Sequence, residues 1–166
     1  MRTFLHTFFA ASLITLMLSV SPAWAADFSG TWVLDLSASD SPDELLKAQG
    51  VSWVKRKAAA KLDVTQNVKQ DGDEVTIETV TSRKTKTTTL QVDGETRTVD
   101  GDRGKAEVTH AWDGEALVST STGPDGGSLV TRRSLSDDGR TLTQRVTLTS
   151  KDGSTVSIDR IFRMRE

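Results

Sequence analysis

The punctuation of the chain after Leu62 constrains its fold more than any other feature. Gln70-Asp71-Gly72-Asp73, Asp93-Gly94, Asp100-Gly101, Asp113-Gly114, Pro124-Asp125-Gly126-Gly127, Asp137-Asp138-Gly139 and Asp152-Gly153 recur between short runs rich in threonine and valine. Glycine supplies the positive φ that tight hairpin turns need, and the runs between alternate in polarity with the period of a strand. Strands are therefore expected near 62–69, 74–82, 85–92, 95–99, 105–112, 115–122, 128–135, 141–150 and 154–164. An opening strand, Asp27 to Leu36, holds Phe28, Trp32 and Leu34 in one parity with Gly30. The class is all-β, and about ten antiparallel strands joined by hairpins close most easily as an up-and-down β-barrel, which removes exposed edges.

One helical interruption is legible. Ser41-Pro42-Asp43-Glu44 combines an N-cap serine, a proline at the first helical position and a glutamate three residues after the cap, a capping box, and Gly50 ends the turn. A second short helix is expected from Trp53 to Lys61, capped by Ser52, with several of Lys55, Arg56, Lys57 and Lys61 on its exposed side. Such a basic face is either ordinary solvated surface or one that meets anions or a membrane.

The chain of 166 residues starts with Arg2, an apolar run from Phe4 to Val20, and Pro22 before Ala23-Trp24-Ala25. That is the pattern of an export signal cleaved after Ala25. A single domain over 26–166, in the periplasm or secreted, is then expected. The sequence has no cysteine, so its core must stabilise it without disulfides. Basic and acidic residues nearly balance, 21 against 23, which gives no sign of a nucleic-acid surface.

The interior decides function. In the last run, Val156, Ile158, Arg160, Phe162 and Met164 share one face, apolar except for Arg160. A guanidinium turned into a core must meet a carboxylate, cavity water or an anionic ligand, because an unpaired buried charge is costly. Parity also groups Ser128, Val130, Arg132 and Ser134; Leu142, Gln144, Val146 and Leu148; and Ala106, Val108, His110 and Trp112. An interior of this mixed kind suits a ligand cavity better than a dry core. His110, beside Trp112, reads as a satisfied core residue, and a metal or haem site would need partners that the sequence does not offer. Trp32 and Trp112 read as packing at a barrel end.

The order of parts resembles the fatty-acid-binding protein family of intracellular lipid-binding proteins, a calycin-like group. The resemblance rests on Phe28-Ser29-Gly30-Thr31-Trp32, on Asp43 to Ala58 with Gly50-Val51 and Lys55-Arg56-Lys57-Ala58, and on the terminal Arg160-Ile161-Phe162. It implies a ten-stranded barrel with a helix-turn-helix lid between the first and second strands, enclosing a cavity for a fatty acid or similar amphiphile. It implies that Arg132 and Arg160 hold a carboxylate. The family's usual tyrosine falls on Phe162, which has no hydroxyl to donate. Trp53 falls on a lid position at the portal. The tail would lie along Val75, Ile77, Leu142, Val146, Ile158 and Phe162, with Gln144 also at the ligand.

A monomeric, non-enzymatic carrier of a fatty acid is the leading expectation, with transient membrane contact through the basic lid helix and no cofactor or metal. An exported barrel that binds another protein through its surface is the alternative. Catalysis is the weaker one, because a chain with neither cysteine nor tyrosine offers few nucleophiles, and no nucleophile elbow is present. Gly101-Asp102-Arg103-Gly104 reads as a turn, since no helix follows to make a phosphate loop.

Overall fold

The computed structural model describes residues 25–101 and 104–165. The expected export signal, apart from Ala25, and Asp102 and Arg103 of the Gly101–Gly104 turn lie outside them. The order of elements is β1 (Gly30–Leu34), α1 (Asp43–Ala48), α2 (Trp53–Ala59), β2 (Val64–Asp71), β3 (Glu74–Thr81), β4 (Thr85–Gln91), β5 (Thr96–Gly101), β6 (Gly104–Asp113), β7 (Ala116–Thr122), β8 (Ser128–Leu135), β9 (Thr141–Thr149) and β10 (Thr155–Met164). Each strand falls within a few residues of its expected place. The hairpin glycines 72, 94, 114, 126, 139 and 153 all take positive φ, as the turn chemistry requires. At the β5–β6 turn it is Gly104, at φ 110°, that does so and not Gly101.

All ten strands form one antiparallel sheet in the order β4-β3-β2-β1-β10-β9-β8-β7-β6-β5. The up-and-down topology is as expected, but the edges are not abolished: β4 and β5 end the sheet and are not hydrogen-bonded to each other. Across that gap Trp112 Nε1 on β6 donates to Asp73 Oδ1 in the β2–β3 turn at 3.2 Å, while the Val92 amide bond to the Asp73 carbonyl at 2.7 Å and the Gly94 amide bond to the His110 carbonyl at 2.9 Å extend the β3–β4 and β5–β6 ladders. Edge strand β4 carries exposed Lys86 beside Lys84, charges of the kind that deter edge-to-edge pairing.

One end of the barrel is a dry floor. Phe28, Trp32, Leu34, Val68, Val75, Ile77, Leu90, Val92, Leu117, Leu142 and Phe162 pack there as one buried cluster. Trp32 is fully enclosed and donates from Nε1 to the Phe28 carbonyl at 2.9 Å. Phe28 stacks on Trp112 with ring centroids 6.1 Å apart. These tryptophans therefore do pack a barrel end.

The helices cover the other end. Leu45 on α1 packs with Val146 and Ile158, against which Leu129, Leu148 and Val156 also lie. After α1, Gly50 at φ 76° allows the paired bonds Gly50 N to Lys47 O and Val51 N to Leu46 O, both 2.9 Å, which satisfy the last carbonyls of the helix. The capping box does not form. Ser41 Oγ accepts from the Asp43 amide at 3.3 Å, but Glu44 turns to Lys47 at 3.6 Å and no side chain caps the helix reciprocally. Helix α2 starts where expected, after Ser52, and ends at Ala59 instead of Lys61.

Candidate functional site

Strand register sets the interior. Arg160 on β10 lies opposite Gln144 on β9, and Gln144 lies opposite Arg133 on β8. Residues directly opposed in an antiparallel pair share a face, so Arg133, Gln144 and Arg160 form one row on the inner wall. One step toward the floor, the same strands place Leu135, Leu142 and Phe162 in register. One step toward the lid they place Thr131, Val146 and Ile158. The polar row thus sits on top of the packed floor.

Arg132 is not in that row. It lies opposite Arg145, is exposed, and pairs with Asp113 on the outer surface. The expected inner face of β8, Ser128, Val130, Arg132 and Ser134, is its outer face; the inner one holds Leu129, Thr131, Arg133 and Leu135. A slip of one residue exchanges every side chain between faces, and the adjacent arginine takes the interior place. Asp159 is outside, as expected, held by Arg145 at 2.7 Å, and Glu78 is bonded by Asn67 at 2.8 Å.

Among the described residues, no carboxylate pairs with either inner guanidinium. Burial pulls Arg133 down from its ordinary value to about 10 and no acidic neighbour offsets this. Its Nε is enclosed with no hydrogen-bond partner. Burial lowers Arg160 as well, again with no compensating carboxylate. Outside, by contrast, Asp159 raises Arg145 through a hydrogen bond. Gln144 Oε1 accepts from Gln66 Nε2 across the barrel at 3.2 Å. His110 does find a partner: its Nδ1 lies 2.9 Å from Ser119 Oγ. Its pKa is lowered by burial first and then by the Arg133 and Arg97 charges, with Asp93 opposing.

The other expected site residues divide between levels. Ile158 lines the upper barrel beneath Leu45. Val75, Ile77, Leu142 and Phe162 belong to the floor cluster. Trp53 stands on α2 with 61% of its surface exposed, turned to solvent and not over the interior. Arg56 is no part of a free basic face either: Nε bonds Asp43 Oδ1 at 3.2 Å and Nη1 bonds the Val51 carbonyl at 3.0 Å, bracing α2 to α1. Lys55, Lys57 and Lys61 remain exposed.

A cleft of about 390 Å³ opens at the lid end, between the end of α1 at Ala48 and the β7–β8 and β9–β10 turns. Among its walls are Ser121, Leu129 and Leu148, which share the inner parity of Arg133 and Gln144 on their strands.

Residues 29–165 match the model of the lipocalin and cytosolic fatty-acid binding protein family. The chain belongs to this family. Sodium/calcium exchanger regulatory protein 1 of Doryteuthis pealeii is 37% identical over 102 residues, 61% of this chain and 76% of that one. Human cellular retinoic acid-binding protein 1 is 36% identical over 126 residues, 70% of this chain and 88% of that one. A solved structure described as the REP1-NXSQ fatty acid transporter superposes with a TM-score of 0.67 at 27% identity, covering 83% of this chain and 96% of that one. A small lipid-like ligand is what this membership supports.

Proposed function

We propose that the protein is a non-enzymatic carrier of a fatty acid or similar anionic amphiphile, with the carboxylate held between Arg133 and Arg160. The observation that carries this reading is the pair of inward guanidiniums with no anionic partner. A buried charge left unpaired is strongly unfavourable, so a site that keeps two of them is arranged for an anion that arrives from outside. Relatives named for retinoic acid and for fatty acid bind molecules of that type, an acid on an apolar tail.

Because the arginine row rests on the floor, the headgroup goes in first. The tail then rises past Val146 and Ile158, and past Leu129, Leu148 and Val156, toward Leu45 on the lid. Each buried methylene contributes about 0.8 kcal/mol before losses. Charge-assisted bonds to the head add roughly 1.5 to 3 kcal/mol. Phe162 donates nothing, so the two arginines carry the anion between them with Gln144 at their centre.

The test is a displacement assay with a fatty acid and the alcohol of equal chain length. Arg133→Leu and Arg160→Leu are each expected to weaken the acid about tenfold or more, with the alcohol less affected and Arg132→Ala without effect on either. Equal losses for acid and alcohol would overturn the headgroup assignment.

We further propose that the carrier works outside the cytoplasm, on the strength of the apolar run and Ala23-Trp24-Ala25 at its start. Mass spectrometry of protein recovered from its source should give an N-terminus at Ala26. A chain that keeps residues 1–25 and stays in the cytoplasm would refute this.

A further inference from the structure

A third unsatisfied group faces the arginine row. Gln66 on β2 is 6% exposed, the one polar residue among the fully buried ones described. Its register partner on β1 is the floor residue Trp32, so it shares the inner face, between Val64 and Val68 at the edge of the floor cluster. Its Nε2 is spent on Gln144 Oε1 at 3.2 Å, whereas its Oε1 is enclosed with no donor. Enclosed acceptors without a partner are rare in folded proteins. This one is joined through a single hydrogen bond to the residue that separates the two unpaired arginines. The interior therefore offers, side by side, cationic donors for an anion and one neutral acceptor for a hydroxyl or amine hydrogen.

We propose that the site selects acids bearing a hydroxyl close to the carboxylate, on C2 or C3, so that the hydroxyl donates to Gln66 Oε1 while the carboxylate lies between Arg133 and Arg160. This rests on the carboxylate reading above and narrows it. A plain fatty acid satisfies the guanidiniums and leaves the Gln66 oxygen without a donor. A hydroxyl far along the tail lies among Val146, Ile158 and Leu45, away from the Gln66 oxygen. Binding sites that hydrogen-bond a ligand hydroxyl discriminate against analogues lacking it, because their own polar group is then stranded. Gln66 is on this account a specificity-determining residue, reached from β9 only through Gln144.

The experiment uses the chain from Ala26 onward and measures displacement of a fluorescent fatty acid by hexadecanoic acid, 3-hydroxyhexadecanoic acid and 16-hydroxyhexadecanoic acid. The 3-hydroxy acid is expected to bind about tenfold more tightly than the plain acid, and the 16-hydroxy acid more weakly than it. Gln66→Met should bring the 3-hydroxy and plain acids together while leaving hexadecanoic acid bound. Equal binding of the 3-hydroxy and plain acids by the unaltered protein overturns the inference and leaves the carrier reading intact; a preference that survives in Gln66→Met overturns it too. Failure to bind any of the three acids defeats the carrier reading itself. The ranking on the unaltered protein stands whether or not the variant folds.

Discussion

The floor of the barrel and the layer directly above it are built by the same strands and could hardly differ more. Phe162, Leu142 and Leu135 on β10, β9 and β8 pack into or against the buried cluster around Trp32. Two residues along each strand stand Arg160, Gln144 and Arg133. The change from apolar to polar happens on three neighbouring strands at one level, so it is a boundary and not a scatter of polar residues through a core. A protein that needed only stability would continue the apolar packing upward, since buried charges are commonly replaced by apolar side chains at no loss or with a gain. Keeping the boundary leaves two cations on the inner wall with no carboxylate partner among the described residues.

The largest expected effect lies in the floor. Trp32 is entirely enclosed and anchors the Phe28 carbonyl, so Trp32→Ala should remove about 3 to 5 kcal/mol of stability, measured by urea denaturation. A loss below about 1 kcal/mol would mean that this end can collapse around the gap, and the contrast between a tightly packed floor and the polar layer above it would fail.

That contrast was only half legible in the sequence. Turn glycines and alternation placed every strand, and the parity of β9 and β10 put Gln144 and Arg160 inside because each stands among large apolar neighbours two residues away. On β8 the two faces are nearly balanced. Val130 alone argues for the face of Arg132, while Leu129 and Leu135 argue for the face of Arg133, and weighing the two leucines would have chosen correctly. Family resemblance pointed to one of two adjacent arginines and could not separate them; the register with β9 does. The level of each inner residue was not legible at all. Parity tells inside from outside but not one level of the interior from another, and for that reason Val75, Ile77 and Phe162 were expected along a tail and are found in the packed cluster around Trp32. Arg56 reads as one more surface cation until the fold brings Asp43 and the Val51 carbonyl within its reach.

Arg133 allows the upper layer to be tested for stability alone. Burial holds its pKa at about 10, below the ordinary arginine value, so the folded state binds this proton more weakly than the unfolded chain does. The penalty is fully present at every pH below the folded value, neutral pH included, and is released only as pH rises from about 10 toward the ordinary value. At neutral pH, Arg133→Leu should therefore stabilise the ligand-free protein, by about 1 to 3 kcal/mol once the loss of the guanidinium's own packing is allowed for. This would appear as a rise of several degrees in Tm. Adding hexadecanoic acid should reverse the order, because the unaltered protein gains stability from a ligand that the variant holds weakly. A destabilisation of about 3 kcal/mol or more in the ligand-free variant would instead be the signature of a broken buried ion pair. Arg133 would then belong to the structure of the barrel, and the boundary above the floor would have no need of a ligand.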